Sequence, residues 1–231
     1  MINLAEKEVL TFDCYGTLID WETGLSNALR PILQAHSRPL SGERALEDYA
    51  EFEAEAERGP YMTYREVLAH ALRGLGQRHG FAPTTDELAR FSVSVGDWPA
   101  FPDSPAALAQ LKRRFKLAIL SNIDDNLFAL SNRRLGVEFD WIITAQQARS
   151  YKPSLDNFHL ALQRIGPPKE RILHVAQSLF HDHAPAKQIG LDTLWINRRK
   201  GKTGFGATPP AEAQPDLETP DLQSAADILC Q

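Results

Sequence analysis

Four polar motifs follow apolar runs, and between them they bring two carboxylates, a hydroxyl with an amide, and an ammonium. Residues 9–12 close on Asp13 before a Gly16-Thr17 turn; Leu120 precedes Ser121 and Asn122; Tyr151 precedes Lys152; His181 precedes Asp182. A buried strand that ends on an acid delivers one carboxylate to a sheet edge, where loop amides can bind whatever it attacks. A carboxylate is a weak nucleophile in water, but desolvation and correct aim make covalent catalysis feasible. Ser121 Oγ and the amides of Cys14 and Tyr15 can hold a substrate carboxylate or a developing oxyanion. Lys152 supplies a cation that keeps Asp13 ionised at neutral pH. Asp182 then either anchors Lys152 or activates water, and Asn122 orients the nucleophile or lines the leaving-group pocket. Together these loops predict a hydrolase with an Asp nucleophile.

The elements that must position these groups alternate. Strand-like runs at 9–12, 116–120, 141–144, 172–175 and 193–196 are separated by helical patterns such as 104–114 and 155–165. That order implies an α/β fold with a doubly wound parallel sheet, whose ligands bind at the carboxyl ends of the strands. The first crossover breaks the plan. Residues 21–98 read as helix after helix (24–35, 42–57, 64–79 and 85–95) with no strand, far longer than a usual βα loop of roughly 2–6 residues. We read it as an all-helical cap domain, 21–98, inserted into a core made of 1–20 and 99–231. Residues 98–103, Trp-Pro-Ala-Phe-Pro-Asp, form the hinge of re-entry.

Composition excludes several classes. The chain has 231 residues, 43% hydrophobic and 24% charged, with a formal net charge of −5. That acidity disfavours nucleic-acid or anionic-membrane partners. Arg198-Arg199-Lys200 reads as a solvated loop. No run approaches the roughly 20 apolar residues of a membrane helix, and residues 1–8 lack a signal-peptide pattern. The two cysteines suggest no disulfide, so a reducing cytoplasm is expected. The Gly/Pro-rich stretch 201–210 lacks the Gly-Lys-Ser/Thr ending of a phosphate loop.

Individual residues also have plainer readings. Neighbours leaving a strand point to opposite faces, so the Cys14 thiol is expected to pack in the core. His181 and His183 lack the further ligands a zinc site needs, which leaves His181 as a hydrogen-bond partner or proton shuttle near the ester. Trp98 reads as hinge packing, Trp21 as a pocket wall, and Trp141 and Trp195 as core.

Asp-x-Tyr-Gly-Thr, Leu-Ser-Asn, Tyr-Lys-Pro and a late Asp, with helices inserted after the first motif, resemble the haloacid dehalogenase (HAD) superfamily. The resemblance spans essentially the whole chain and implies a Rossmann-like core with a C1-type cap. Phosphatases of that superfamily carry a second Asp two residues after the nucleophile, where this chain has Tyr15, and the late loop lacks their Mg²⁺-binding run. The resemblance therefore implies the metal-free L-2-haloacid dehalogenase branch, with no cofactor. In that branch the Asp displaces a substituent at C2 of a small 2-substituted carboxylic acid, and water hydrolyses the aspartyl ester. Carried over, Asp13 attacks, Ser121 with the Cys14 and Tyr15 amides holds the carboxylate, and Lys152 and Asp182 assist hydrolysis. Two departures stand out: Gln177 and Leu179 replace the family's Ser and Asn before the late Asp, and the halide-cradling cap arginine has only Arg44 as a counterpart.

The opening from Asp13 to Gly24, with Leu120-Ser121-Asn122-Ile123-Asp124, residues 136–140 and His181-Asp182-His183, is most similar to the L-azetidine-2-carboxylate hydrolases of this branch. That likeness implies ring opening at C2, where a cationic ring nitrogen needs no arginine. Tyr15 and Trp21 could face it, and Asp20 or Asp182 could offer charge. The alternatives are a Mg²⁺-dependent HAD phosphatase, against which Tyr15 argues, and a non-catalytic binding or dimerisation module. A homodimer is expected by analogy.

Overall fold

The computed structural model describes residues 2–38, 40–201, 208 and 211–231. Most of the Gly/Pro-rich stretch judged above lies outside them. Six strands form one parallel sheet: β1 (Val9–Phe12), β2 (Lys116–Ser121), β3 (Trp141–Thr144), β4 (Ile172–Ala176), β5 (Asp192–Ile196) and β6 (Leu217–Thr219). Their spatial order is β3-β2-β1-β4-β5-β6. The chain reverses direction across the sheet between β1 and β4, and ligands of such sheets bind in the crevice at that switch point. β6 was not expected. Its three residues carry no apolar run, and only pairing with the β5 edge makes them a strand.

Both faces of the sheet are covered, which is why its strands read as nearly continuous apolar runs. Leu10, Phe12, Leu117, Ile119, Leu173 and Val175 enter one core, whereas Val9, Ala118, Leu120 and Ile172 enter the other. The alternation continues past β1. Cys14 joins the Phe12 core, fully buried, and Asp13 takes the opposite side. Burial pushes the Cys14 thiol well up, and the Asp13 charge adds to it.

Between β1 and β2 run α1 (Trp21–Ala35), α2 (Gly42–Arg58), α3 (Tyr64–His79) and α4 (Thr85–Phe91), a 3₁₀ turn at Ser94–Asp97, and α5 (Ser104–Lys112). The expected helix at 24–35 begins earlier because Asp20 caps it, accepting from Thr23 N–H at 3.2 Å. Thr63 with Glu66 and Thr84 with Glu87 form capping boxes that start α3 and α4. The helix expected at 85–95 ends at Phe91. The remaining helices are α6 (Asp125–Leu135), α7 (Ala145–Ala148), α8 (Leu155–Ile165), α9 (Ala184–Gln188) and α10 (Leu222–Leu229). Among the described residues no helix is long and apolar enough to cross a membrane.

The helical insertion is sewn to the sheet at its base. Asp20 N–H donates to Pro99 O at 2.8 Å, and Phe101 N–H and Ser104 Oγ both donate to Leu18 O. Asp124, in the loop after β2, accepts from Tyr64 and Arg65 N–H and so caps α3 from outside. Trp98, 1% exposed, packs its indole against Gly24 so closely that a Cβ there would lie 2.2 Å from the ring. The hinge-packing role expected for Trp98 holds.

Two sequence readings need correction. Arg198 is no solvated loop residue: its guanidinium grips Asp103 through two bonds of 2.8 and 2.9 Å and donates to Thr17 O. Arg199 pairs with Glu22. Trp141 and Trp195 are only half-buried; Trp195 uses its indole N–H to hold Gln177 O at 2.8 Å.

Candidate active site

Strand ends and their loops bring the titratable groups into one place. Lys152, 1% exposed, places Nζ 2.9 Å from Asp13 Oδ1 and 2.6 Å from Asp182 Oδ1, with a third bond to Leu120 O at 3.0 Å. One ammonium thus satisfies its three donors on two carboxylates and a strand-end carbonyl. Asp13 Oδ2 accepts from Thr17 Oγ at 2.7 Å, and Thr17 Oγ in turn accepts from Gln177 N–H. Gly16 makes that turn possible. Its φ is +91°, and a Cβ would crowd Trp21 Nε1 at 3.1 Å and Gln177 Oε1 at 3.2 Å.

Asp182 rests on a single π-turn, Leu179–His183, a local distortion frequent at functional sites. His174, on β4, reaches it from behind with Nε2 3.0 Å from Oδ1, and its Nδ1 meets Thr11 Oγ at 2.9 Å. Burial pushes Asp182 up, but Lys152 and His174 more than reverse this and hold its carboxyl well below the usual range. Asp13 behaves differently. Burial raises it, Lys152 and the Thr17 bond recover only part, and Asp182 adds to the rise, so it stays above its ordinary value. Burial pulls Lys152 down, and both carboxylates lift it above its usual value.

A cavity opens beside this triad. Its volume is about 50 Å³, against the ~10–15 Å³ needed for one water, so it suits a molecule of a few heavy atoms. The walls include Asp13, Tyr15, Trp21, Ser121, Asn122, Lys152, His181 and Asp182. The residues proposed from sequence therefore meet here, except Cys14, whose side chain belongs to the core, Asp20, which caps α1 instead, and Arg44. The Cys14 and Tyr15 amides have no backbone or side-chain acceptor among the described residues, while Gly16, Leu18 and Ile19 N–H close the loop on Ile19 and Cys14 carbonyls. Asn122 clasps the Lys152 backbone: its Oδ1 accepts from Lys152 N–H at 2.7 Å and its Nδ2 donates to Lys152 O at 3.0 Å. His181 Nδ1 lies 3.2 Å from Ser178 Oγ, and burial lowers the ring to about 4. Tyr15 OH meets Ser131 Oγ at 2.9 Å. Arg44 does not enter the site; it is exposed on α2, paired with Asp48 and Glu47.

The model of the haloacid dehalogenase-like hydrolases matches residues 7–190. The chain belongs to the haloacid dehalogenase-like hydrolase family. It is 30% identical over 233 aligned positions to an (S)-2-haloacid dehalogenase of Pseudomonas sp. strain YL, covering 95% of this chain and 93% of that one. With (S)-2-haloacid dehalogenase H-109 of Pseudomonas putida the identity is 27% over 218 positions, covering 90% and 93%. Its fold matches L-2-haloacid dehalogenase from Xanthobacter autotrophicus with chloropropionic acid covalently bound, at a TM-score of 0.78 and 23% identity over 96% and 98% of the chains.

This haloacid dehalogenase-like hydrolase carries site groups that the sequence reading passed over. Thr17 and His174 brace the two carboxylates, and Ser178 lines the cavity beside Gln177, noted above only as a departure from the family pattern. From the insertion, Glu53, Glu57 and Tyr64 reach the same cavity. Glu53 and Glu57 are spaced to share a helix face with the buried Tyr49, a signal that the repeating acids of α2 obscure. Among the described residues no three His, Cys, Asp or Glu side chains are grouped to hold a metal ion.

Proposed function

We propose that the protein hydrolyses a small 2-substituted carboxylic acid through an aspartyl ester on Asp13, by L-2-haloacid dehalogenation or L-azetidine-2-carboxylate ring opening, without a metal. The carrying observation is the buried Asp13–Lys152–Asp182 array beside a cavity of small-molecule size. The Xanthobacter enzyme with its covalently bound chloropropionic acid has the same fold.

Each role follows from placement. Ser121 Oγ is buried without a hydrogen-bond partner and, with the Cys14 and Tyr15 amides, is free to hold the substrate carboxylate. Asp13 attacks C2, and the C2–substituent electron pair leaves with the substituent. Asn122 positions Lys152 through its backbone. Asp182 anchors Lys152 through Oδ1, while its unpartnered Oδ2 and neutral His181 are placed to receive a proton from the water that opens the ester. Lys152 Nζ already stands between the two carboxylates as their counter-charge, which supports a metal-free route over a Mg²⁺ phosphatase. Residues 21–98 serve as the cap domain over a core of 1–20 and 99–231. Both cysteines are free, which fits a reducing cytoplasm, and a homodimer is proposed by analogy.

Rapid quench of the protein with L-2-chloropropionate or L-azetidine-2-carboxylate, followed by peptide mass analysis, tests this reading. An acid-stable adduct on the Asp13 peptide, absent in Asp13→Asn, is expected. No adduct with either acid, alongside EDTA-sensitive cleavage of p-nitrophenyl phosphate, would favour the phosphatase.

A further inference from the structure

β1 and β4 each carry one polar side chain among apolar ones, and the two stand side by side. Thr11 is paired with His174 in the parallel register, and both are buried. Alternation puts them on the face where Val9 and Ile172 pack with Phe158, whose ring meets the imidazole edge to face at 5.5 Å between centroids. A buried imidazole in such surroundings is costly unless its nitrogens find partners. Both do: Nδ1 lies 2.9 Å from Thr11 Oγ, and Nε2 lies 3.0 Å from Asp182 Oδ1. An ionised carboxylate only accepts, so Nε2 carries the hydrogen and, in the neutral ring, the Thr11 hydroxyl donates to Nδ1.

His174 bears on the site only through Asp182, since it is not a wall of the cavity. Asp182 Oδ1 receives two donors, Lys152 Nζ from the loop before α8 at 2.6 Å and His174 Nε2 from β4 at 3.0 Å. Oδ2 receives none, although the residue is wholly buried and lines the cavity. A single donor on Oδ1 would leave the carboxylate free to turn about its Cβ–Cγ bond, a torsion with broad preferences. Two donors arriving from different elements hold its plane. The oxygen left over is the one that a bound molecule must complete.

We propose that His174, oriented by Thr11, is a positioning residue for the hydrolytic half of the reaction, turning Asp182 so that Oδ2 meets the attacking water. The assignment rests on the aspartyl-ester reading for its chemistry. As water oxygen bonds to the Asp13 ester carbonyl carbon, Asp182 Oδ2 takes one of the water protons. The ester C–O bond then breaks with its electron pair going to the 2-oxygen of the product, which receives that proton from Asp182. The second water proton leaves the restored Asp13 carboxyl for solvent. His174 keeps its Nε2 hydrogen throughout and neither gives nor takes a proton. Formation of the ester needs Asp13 and the Lys152 charge but not Asp182 Oδ2, so the two halves of the reaction should respond differently to the loss of His174.

Rapid-quench mass analysis of the Asp13 peptide, with L-2-chloropropionate and with L-azetidine-2-carboxylate, tests this in wild type, His174→Leu, His174→Gln and Thr11→Val. In His174→Leu the ester is expected to open about 10–100-fold more slowly, part of the roughly 10²–10⁴-fold that a placed base contributes, while its formation changes by less than about threefold. The adduct should therefore accumulate during turnover. His174→Gln, whose side-chain N–H can still reach Asp182, should restore part of the opening rate. Thr11→Val, a change of similar shape, should show a smaller accumulation and serves if the leucine variant does not fold. A long-range ¹⁵N–¹H spectrum of the wild-type histidines should show His174 with its hydrogen on Nε2, a readout that needs neither substrate nor variant. Equal slowing of both halves, no extra adduct in the variants, or an Nδ1–H ring would overturn the positioning role alone. No adduct from any of the four proteins would fail the ester reading, and the hydrolytic role with it.

Discussion

Lys152 Nζ sits closer to Asp182 Oδ1, at 2.6 Å, than to Asp13 Oδ1, at 2.9 Å. The ammonium is anchored on the carboxylate with the lower pKa, while the carboxylate raised by burial remains the more basic oxygen beside the cavity. In the proposed reaction that asymmetry assigns Asp182 to fixing the charge and Asp13 to the attack.

Lys152→Met removes the one cation between two buried acids. Breaking such an array by removing one partner costs about 3–5 kcal/mol, so urea unfolding should shift by that amount. Ester formation should slow by about 10²–10³-fold, the effect of losing one preorganised electrostatic group. Wild-type stability in this variant would mean that the array is not held as described.

Thr17→Val deletes the hydroxyl that donates to Asp13 Oδ2. Burial already raises Asp13 and the Thr17 bond is one of the groups pulling it back, so its carboxyl should rise further. Activity requires the ionised form and is lost as pH falls through this value. The acid limb of the pH–rate profile should therefore move to higher pH; a limb that stays or moves lower contradicts the geometry.

His183 is fully buried, and its Nε2 lies 2.9 Å from Ala176 O. Burial lowers its ring to about 4, only partly offset by that bond. An unfolded His binds protons below about 6.5, so its contribution is complete above that value and declines as pH falls towards 4. Urea denaturation should show a loss of about 2 kcal/mol from this group between pH 7 and pH 5. The slope should flatten in His183→Gln.

Gly24→Ala would drive a methyl into the Trp98 indole. Overpacking of this kind costs about 1–3 kcal/mol, and for a chain of this size Tm falls by about 2–4 °C per kcal/mol. Calorimetry should show a fall in that range. An unchanged Tm would mean that the base of the insertion packs more loosely.

What the sequence disclosed follows from where each group sits. Asp13, Ser121, Lys152 and Asp182 end apolar runs or follow them closely, and a parallel sheet brings such positions to one edge, so their meeting was readable from the strand pattern. Thr17 and His174 were not, since their importance lies in bonds to the carboxylates that only the folded chain makes. Glu53 and Glu57 were hidden among the acids of α2, where a helix face turned to a cavity looks in sequence like one turned to water. Arg198 misled in the same way: its neighbours are basic, and its partners Asp103 and Thr17 lie far away in the chain. The short β6 carries no apolar pattern of its own and exists through its edge pairing.

Single turnover in ¹⁸O-labelled water is the most direct measurement of the central claim. An ester on Asp13 is opened by water at the Asp13 carbonyl, so the heavy oxygen should appear in the Asp13 peptide and the product should carry unlabelled oxygen on C2. Heavy oxygen in the product, with Asp13 unlabelled, would mean that water attacks the substrate directly and would contradict the account.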